Sequence, residues 1–316
     1  MTALVALLEA TGRHARAILP AGLVAIALLP SSGGRLAPLV PWLVGMLLAM
    51  TFARIDLGPV LRALVRPRDA LPVLAVLVAI QPLLAGALAQ GGAALGLGPA
   101  ALLPLVVFAA APPLSSGPSI ALMLGYDATL ALRLMLTGTL LSPLLIPASF
   151  WLAGLPGTLP SELALRTGAM LAGGLAGGLA LRALIGPARL RARTRAMDGL
   201  AALVMLAFLL PLVDGLGARL WHEPGRMARI AALALALNLG GNLAMRALAR
   251  RRLPEGTAAT LGIAFGNRNV SVILAVQPDP AIALFVALAQ IPIYLTPFLL
   301  GLHDRRFRRC SASSAS

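Results

Sequence analysis

Apolar stretches of membrane-spanning length follow one another along the chain, separated by short runs of arginine, glycine and proline. They fall at about 15–31, 37–54, 70–90, 97–113, 129–153, 161–182, 197–217, 227–247, 256–276 and 280–302. An α-helix needs about 20 apolar residues to cross a bilayer, whereas barrel strands are about half as long and alternate polar with apolar. The pattern therefore predicts an all-α membrane protein with ten transmembrane helices, a single membrane domain over 1–316 with a tail from 303. Five spans fall in each half, about 15–153 and 161–302, and an odd number per half means that any structural repeat is inverted.

Two spans are not uniformly apolar. The fourth ends in Pro112-Pro113-Leu114-Ser115-Ser116-Gly117-Pro118-Ser119 before apolar sequence resumes at Ile120. Proline and glycine at that density interrupt the helical ladder, so this span is expected to be discontinuous. The ninth carries Gly266-Asn267-Arg268-Asn269-Val270-Ser271 between two apolar segments. A charge at bilayer depth costs at least about 2.5 kcal/mol, and such residues face a cavity or a partner. Each interruption lies in the fourth span of its half, and interruptions in corresponding positions point to a transporter's binding site at the midplane.

The candidate substrate-binding residues are Ser115, Ser116, Gly117 and Ser119 from one break and Asn267, Arg268, Asn269 and Ser271 from the other. Half-helix N-termini offer free N–H groups and a positive dipole end, the serines and asparagines add donors, and a guanidinium matches a carboxylate or sulfonate in a two-point fork. These features predict a small organic anion as ligand. The competing view is that the polar groups only bond helix to helix, or that Arg268 snorkels to the cytoplasmic side or pairs with a helix C-terminus.

Composition agrees with the apolar pattern. Of 316 residues, 59% are hydrophobic and 12% charged, with a mean hydropathy of +0.90, against about 25% charged in soluble domains. The net charge of +15 comes from arginine alone, because the chain has no lysine. Most arginines sit in short loops between spans, with no aromatic-interleaved basic surface, which excludes a nucleic-acid strand and leaves lipid and substrate as partners. Arg13 and Arg16, Arg62, Arg66 and Arg68, Arg189 to Arg195, Arg250 to Arg252 and Arg305 to Arg309 fall on one side, with Arg35, Arg219, Arg226 and Arg229 opposite. The positive-inside rule then predicts a multi-pass protein of the cell membrane with both ends cytoplasmic, and Trp42, Trp151 and Trp221 fall near the outer ends. The run 17–30 follows Arg13 and Arg16 like a signal peptide, but without a convincing cleavage site it reads as the first span. Arg133 and Arg166 lie about one turn inside their spans, where snorkelling accounts for them. Cys310 alone forms no cluster, and His14, His222 and His303 lie in loops or tails, so no cofactor or metal centre is expected.

With these residues in view, the chain resembles the bile acid:sodium symporter family. The stretches are Gly45 to Asp56 followed by Arg66-Pro67-Arg68, Leu114 to Pro147 with Ser142-Pro143, and Leu261 to Val276 with Gly266 and Asn269. The resemblance implies a panel of helices beside a core domain, with spans four and nine crossing at their unwound centres. It also implies alternating-access transport of organic anions, commonly coupled to Na+. The chain departs from the family at the sodium site, where Ala264 and Arg268 stand at the positions of a glutamate and a glutamine. Exchanging an acid for alanine and an amide for arginine shifts the local charge by two units toward positive, which repels a cation. Arg268 is then expected to act as a built-in countercharge for an anion, with transport independent of Na+; conventional sodium symport is the alternative. Asp127 and Asp214 invite a second alternative, an intramembrane aspartyl protease, which needs two acids sharing a proton. A receptor or scaffold built on a transporter fold would need a signalling domain, and no segment outside the spans is long enough for one.

Overall fold

The computed structural model describes residues 2–56, 58, 67–155 and 159–313. Arg62 and Arg66 lie outside these residues, as do positions 156–158 of the connection between spans five and six. All regular structure among the described residues is helical: α1 (Thr2–Ala27), α2 (Val40–Arg54), α3 (Pro67–Leu74), α4 (Gln81–Ala94), α5 (Pro99–Ala110), α6 (Gly117–Leu124), α7 (Ala128–Leu140), α8 (Ser142–Ala153), α9 (Pro160–Ile185), α10 (Pro187–Ala192), α11 (Thr194–Leu212), α12 (Leu216–His222), α13 (Pro224–Ala249), α14 (Glu255–Gly266), α15 (Ser271–Val276) and α16 (Pro280–Ser313). A π-helical stretch, Ala75–Ile80, joins α3 to α4, so 67–94 is one continuous rod.

This is an all-α membrane protein. Among the described residues, six helical stretches are long and apolar enough to cross a bilayer: Ala37–Arg54, Leu71–Ala94, Pro160–Ile185, Thr194–Leu212, Pro224–Ala249 and Pro280–Leu302. The pair α7 and α8 makes a seventh if counted as one span. The remaining apolar helices, Ala17–Ala27 and Ala101–Ala110, are shorter. Exposed Leu165, Leu184 and Trp221 on the outside of the bundle are the expected lining toward acyl chains and headgroups.

Several predicted boundaries are corrected. The first helix ends at Ala27, not 31, and starts as early as Thr2, because it lies along α11 through a glycine crossing. There a Cβ on Gly199 would stand 1.9 Å from Leu8 O, and one on Gly12 would stand 2.1 Å from Arg195 O. The fifth span is bent by 74° between α7 and α8, at the residue before Ser142-Pro143, since proline lacks the N–H that would carry the ladder through. The first break spans 111–116, and Gly117, Pro118 and Ser119 open α6, with Pro118 in the first turn, where it is well tolerated. The second break is 267–270, and Ser271 opens α15.

The helices pack in two groups. α1 lies along α11, α9 along α2, and α2 also meets α11. In the other group α4 packs on α5 and α8, while α13 packs on α14 and α16; α7 meets α14 and α16 meets α5. The groups touch where α8 meets α9 and where α15 meets α2 and α9. Each end of the bundle carries its own polar cluster. Asp214 accepts from Ser32 N (2.6 Å), Ser32 Oγ (2.8 Å) and Gly34 N (2.9 Å). Toward the other end of α13, Arg246 pairs with Asp304 (2.6 Å) and with Glu255, and Tyr126 donates to Asp304.

Candidate functional site

An α-helix ties each carbonyl to the N–H four residues on. At the end of α5 the residues four beyond Phe108 and Ala109 are Pro112 and Pro113, which have no N–H, so both carbonyls are left open by the sequence itself. The next donor, Leu114 N, is diverted to Asn267 O at 2.9 Å. In return Asn269 N donates to Pro112 O at 2.8 Å. Pro113 and Arg268 are thereby paired as an antiparallel bridge, and the two breaks are joined back to back.

The open carbonyls are satisfied from the side. The guanidinium of Arg268, 1% exposed, donates Nη2 to Ala109 O (2.6 Å), Nη1 to Ala264 O (3.2 Å) and Nε to Phe108 O (3.4 Å), and it stacks 5.0 Å from the centre of the Phe265 ring. One side chain therefore closes the C-terminal ends of α5 and α14 together. Each helix C-terminus carries roughly half a negative charge, so two of them are matched by one guanidinium. The Ala110 carbonyl, whose donor Leu114 N is engaged elsewhere, accepts from Gln81 Nε2 at 2.8 Å.

A buried amide cluster supports the second break. Asn238 Nδ2 donates to Gly266 O (2.7 Å) and to Asn267 Oδ1 (3.0 Å), and Asn267 Nδ2 donates to Asn242 Oδ1 (3.3 Å). Thr296 Oγ1 lies within 3.1 Å of the side-chain oxygens of both Asn238 and Asn267. α13 can approach this closely only because position 266 is glycine: a Cβ there would stand 2.0 Å from Asn242 Nδ2. Beside the first break, Gln81 Oε1, Thr137 Oγ1 and Thr139 Oγ1 are buried without a hydrogen-bond partner among the described residues.

The predicted site residues thus divide into two layers. Asn267 and Arg268 are buried structural donors, and the fork expected to meet an anion instead holds three backbone carbonyls. Ser115, Asn269 and Ser271 are half-buried, Asn269 Nδ2 reaching Ser115 Oγ across the break at 3.3 Å, while Ser116 and Ser119 are exposed and Gly117 is buried. Gln81, Asn238, Asn242 and Thr296 were not among the candidates. Each is an amide or hydroxyl residue inside a largely apolar span, Asn238 and Asn242 four residues apart on the same one, and that was the available signal. Arg166 reaches the Val276 carbonyl (3.3 Å) at the end of α15 and pairs with Glu162.

Asp127 and Asp214 are each engaged separately. Asp127 caps α7 through Leu130 N (2.9 Å), and its own N–H meets Thr260 Oγ1 (3.1 Å). Asp214 binds the 32–34 turn at the other end of the bundle. Among the described residues no group of three or more His, Cys, Asp or Glu is placed to hold a metal ion. No protein-family model matches the chain, and no curated protein matches it either.

Proposed function

We propose that the chain is a secondary transporter of a small organic anion, a carboxylate or sulfonate, in which Arg268 supplies a fixed countercharge and makes sodium unnecessary. The observation that carries this reading is the guanidinium buried between the C-terminal ends of α5 and α14 with, among the described residues, no acidic partner within bonding distance. Its charge offsets those two ends, and the N-terminus of α6 then leaves the crossing net positive. In a poorly solvated site that field is felt over several ångströms and favours an anion. The cargo meets Ser115, Ser116, Ser119, Asn269 and Ser271 directly, and Arg268 acts from behind them.

The architecture we propose is ten spans in two inverted five-helix repeats, with the broken spans crossing at the membrane centre and both ends of the chain cytoplasmic. Several correspondences support it. α5 and α14 are both 12 residues long and both end at a break. Gln81 donates to Ala110 O as Asn238, 157 positions later in the chain, donates to Gly266 O. The packing of α1 on α11 is mirrored by that of α9 on α2, and α4 on α5 by α13 on α14. The panel formed by α1, α2, α9 and α11 would move against the remaining helices to expose the crossing alternately to the two sides.

In the resembled family sodium coupling involves an acid and an amide where this chain has Ala264 and Arg268. Ala264 offers only its carbonyl, and that carbonyl, with those of Phe108 and Ala109, already accepts from the guanidinium. A sodium ion does not fit this arrangement. What favours conventional sodium symport as a second reading is the trio of unpartnered oxygens on Gln81, Thr137 and Thr139.

A thermal-unfolding screen of carboxylates and sulfonates, run in sodium and in choline buffers, tests the proposal. A ligand at 100 times its dissociation constant stabilises the folded state by about 2.7 kcal/mol. The expected result is a stabilising organic anion whose effect is the same in both buffers and is lost in Asn269→Ala. Stabilisation in sodium alone would favour the second reading, and stabilisation by no organic anion would overturn the proposal.

A further inference from the structure

A cavity of about 220 Å³ opens among α2, α9, α10 and α11, at the end of the bundle that carries the arginine run 189–195 and away from the crossing of the breaks. Its polar lining is Arg54, Asp56, Arg182, Arg191 and Thr194. Three arginines against one aspartate leave the lining positive. Arg54 is engaged by Asp198, and Arg182 donates to Ile55 O at 3.0 Å while staying 3.9 Å from Asp56, at the limit of an ion pair. Arg191 is exposed and has no ion-pair partner among the described residues. The cavity therefore offers one unspent guanidinium and a second that is only loosely neutralised, while the Thr194 hydroxyl is already donated to Arg191 O at 2.8 Å.

The chemistry that this set recognises is a phosphate group, because arginine presents paired N–H donors to its oxygens and stays charged at all relevant pH values. The volume corresponds to roughly seven waters at about 30 Å³ each, enough for a phosphodiester with its adjoining glycerol and too little for acyl chains. The chains have a place beside it. Leu184, two residues beyond Arg182 and so on the opposite side of α9, is 82% exposed, which puts the apolar outer surface of that helix at the height of the cavity, around the helix from it. Basic pockets between membrane helices at the arginine-rich side take anionic headgroups. We propose that this cavity binds the phosphate of an anionic phospholipid in the leaflet at that side.

Native mass spectrometry of the full chain in neutral detergent, titrated with phosphatidylglycerol and in parallel with phosphatidylcholine, tests the assignment. One phosphatidylglycerol should be retained in preference to phosphatidylcholine. Arg191→Gln, at an exposed residue whose loss leaves the fold intact, should weaken that binding roughly fivefold, Arg182→Gln by a similar factor, and Arg219→Gln at the opposite end not at all. Equal retention of the two lipids, or phosphatidylglycerol binding unchanged in both pocket variants, overturns the proposal. A third titration with inorganic phosphate separates the sources: stabilisation by millimolar phosphate that depends on Arg191, without preference for phosphatidylglycerol, means a soluble phosphate ligand and overturns the lipid assignment.

Discussion

Replacing Arg268 by methionine keeps much of the side-chain volume and removes every donor. Three carbonyls then lose their side-chain partner, and for Phe108 and Ala109 no backbone N–H can step in, because Pro112 and Pro113 have none. A buried polar group left unsatisfied costs about 1–3 kcal/mol. The 2.6 Å bond to Ala109 O counts in full, whereas those at 3.2 and 3.4 Å count for less, giving a gross loss of about 3–5 kcal/mol. Removing a buried charge also relieves its desolvation, which returns part of that loss. The net expectation is a destabilisation of about 2–3 kcal/mol, or roughly 4 °C in the unfolding temperature measured in detergent. Anion-dependent stabilisation should disappear as well, since the positive field at the crossing goes with the guanidinium. Arg268→Lys, which keeps the charge but not the three-way fork, should lose less of both. A methionine variant that unfolds at or above the parent's temperature and is stabilised by the same anion would mean that Arg268 neither closes the two helix ends nor provides the field that holds the anion.

Three further outcomes follow from the packing and the end clusters. Gly266→Ala places a Cβ 2.0 Å from Asn242 Nδ2 and 2.4 Å from Asn238 O, and should cost at least about 3 kcal/mol, visible as loss of a monodisperse species on size exclusion. Asp304→Asn removes the buried partner of Arg246 but leaves Glu255, so a loss of about 2 kcal/mol in thermal unfolding is expected, below the full cost of stranding a buried charge. The same contacts act on Tyr126, whose hydroxyl is pushed above the usual phenol range by burial and by its bond to Asp304. Burial pulls the Asp214 carboxyl upward, but the bonds from Gly34 and Ser32 outweigh it and hold the group below its ordinary value of 3.8. A depressed carboxyl stabilises fully above its unfolded pKa and ceases to do so as the pH falls through the folded value. Unfolding scans from pH 6 downward should therefore show an acid-induced loss below about pH 4 that is smaller in Asp214→Asn.

The membrane class and both polar interruptions were legible because composition and apolar run length carry them directly. The bend before Ser142-Pro143 was not read, although the proline that causes it stood in view: one apolar run gives no sign of whether a proline bends a helix or is absorbed by it. The cluster of Asn238, Asn242, Asn267 and Thr296 escaped because its members lie on three different spans, and only the crossing of α13, α14 and α16 brings them together. Arg268 is the most instructive residue. Its cost was apparent in the sequence, and the charge was read first as a hand extended to cargo, with pairing to a helix C-terminus as the competing view; the contacts are those of the competing view. The partners it has are carbonyls left open by Pro112 and Pro113 about 155 positions earlier, so the proline pair was the missing half of the signal. Pairing a lone buried donor with a proline-orphaned helix end elsewhere in the chain is a sequence argument that would have found it.

Transport decides whether a guanidinium does here what a sodium ion would otherwise do. The direct measurement is uptake of the anion selected by thermal unfolding into proteoliposomes, under an inward sodium gradient and under choline, for the parent chain and for Ala264→Glu combined with Arg268→Gln. Equal parental rates in the two salts are expected, with a double variant that is slow in choline and stimulated by sodium because an acid and an amide replace the fixed charge. Parental uptake that requires the sodium gradient would contradict it.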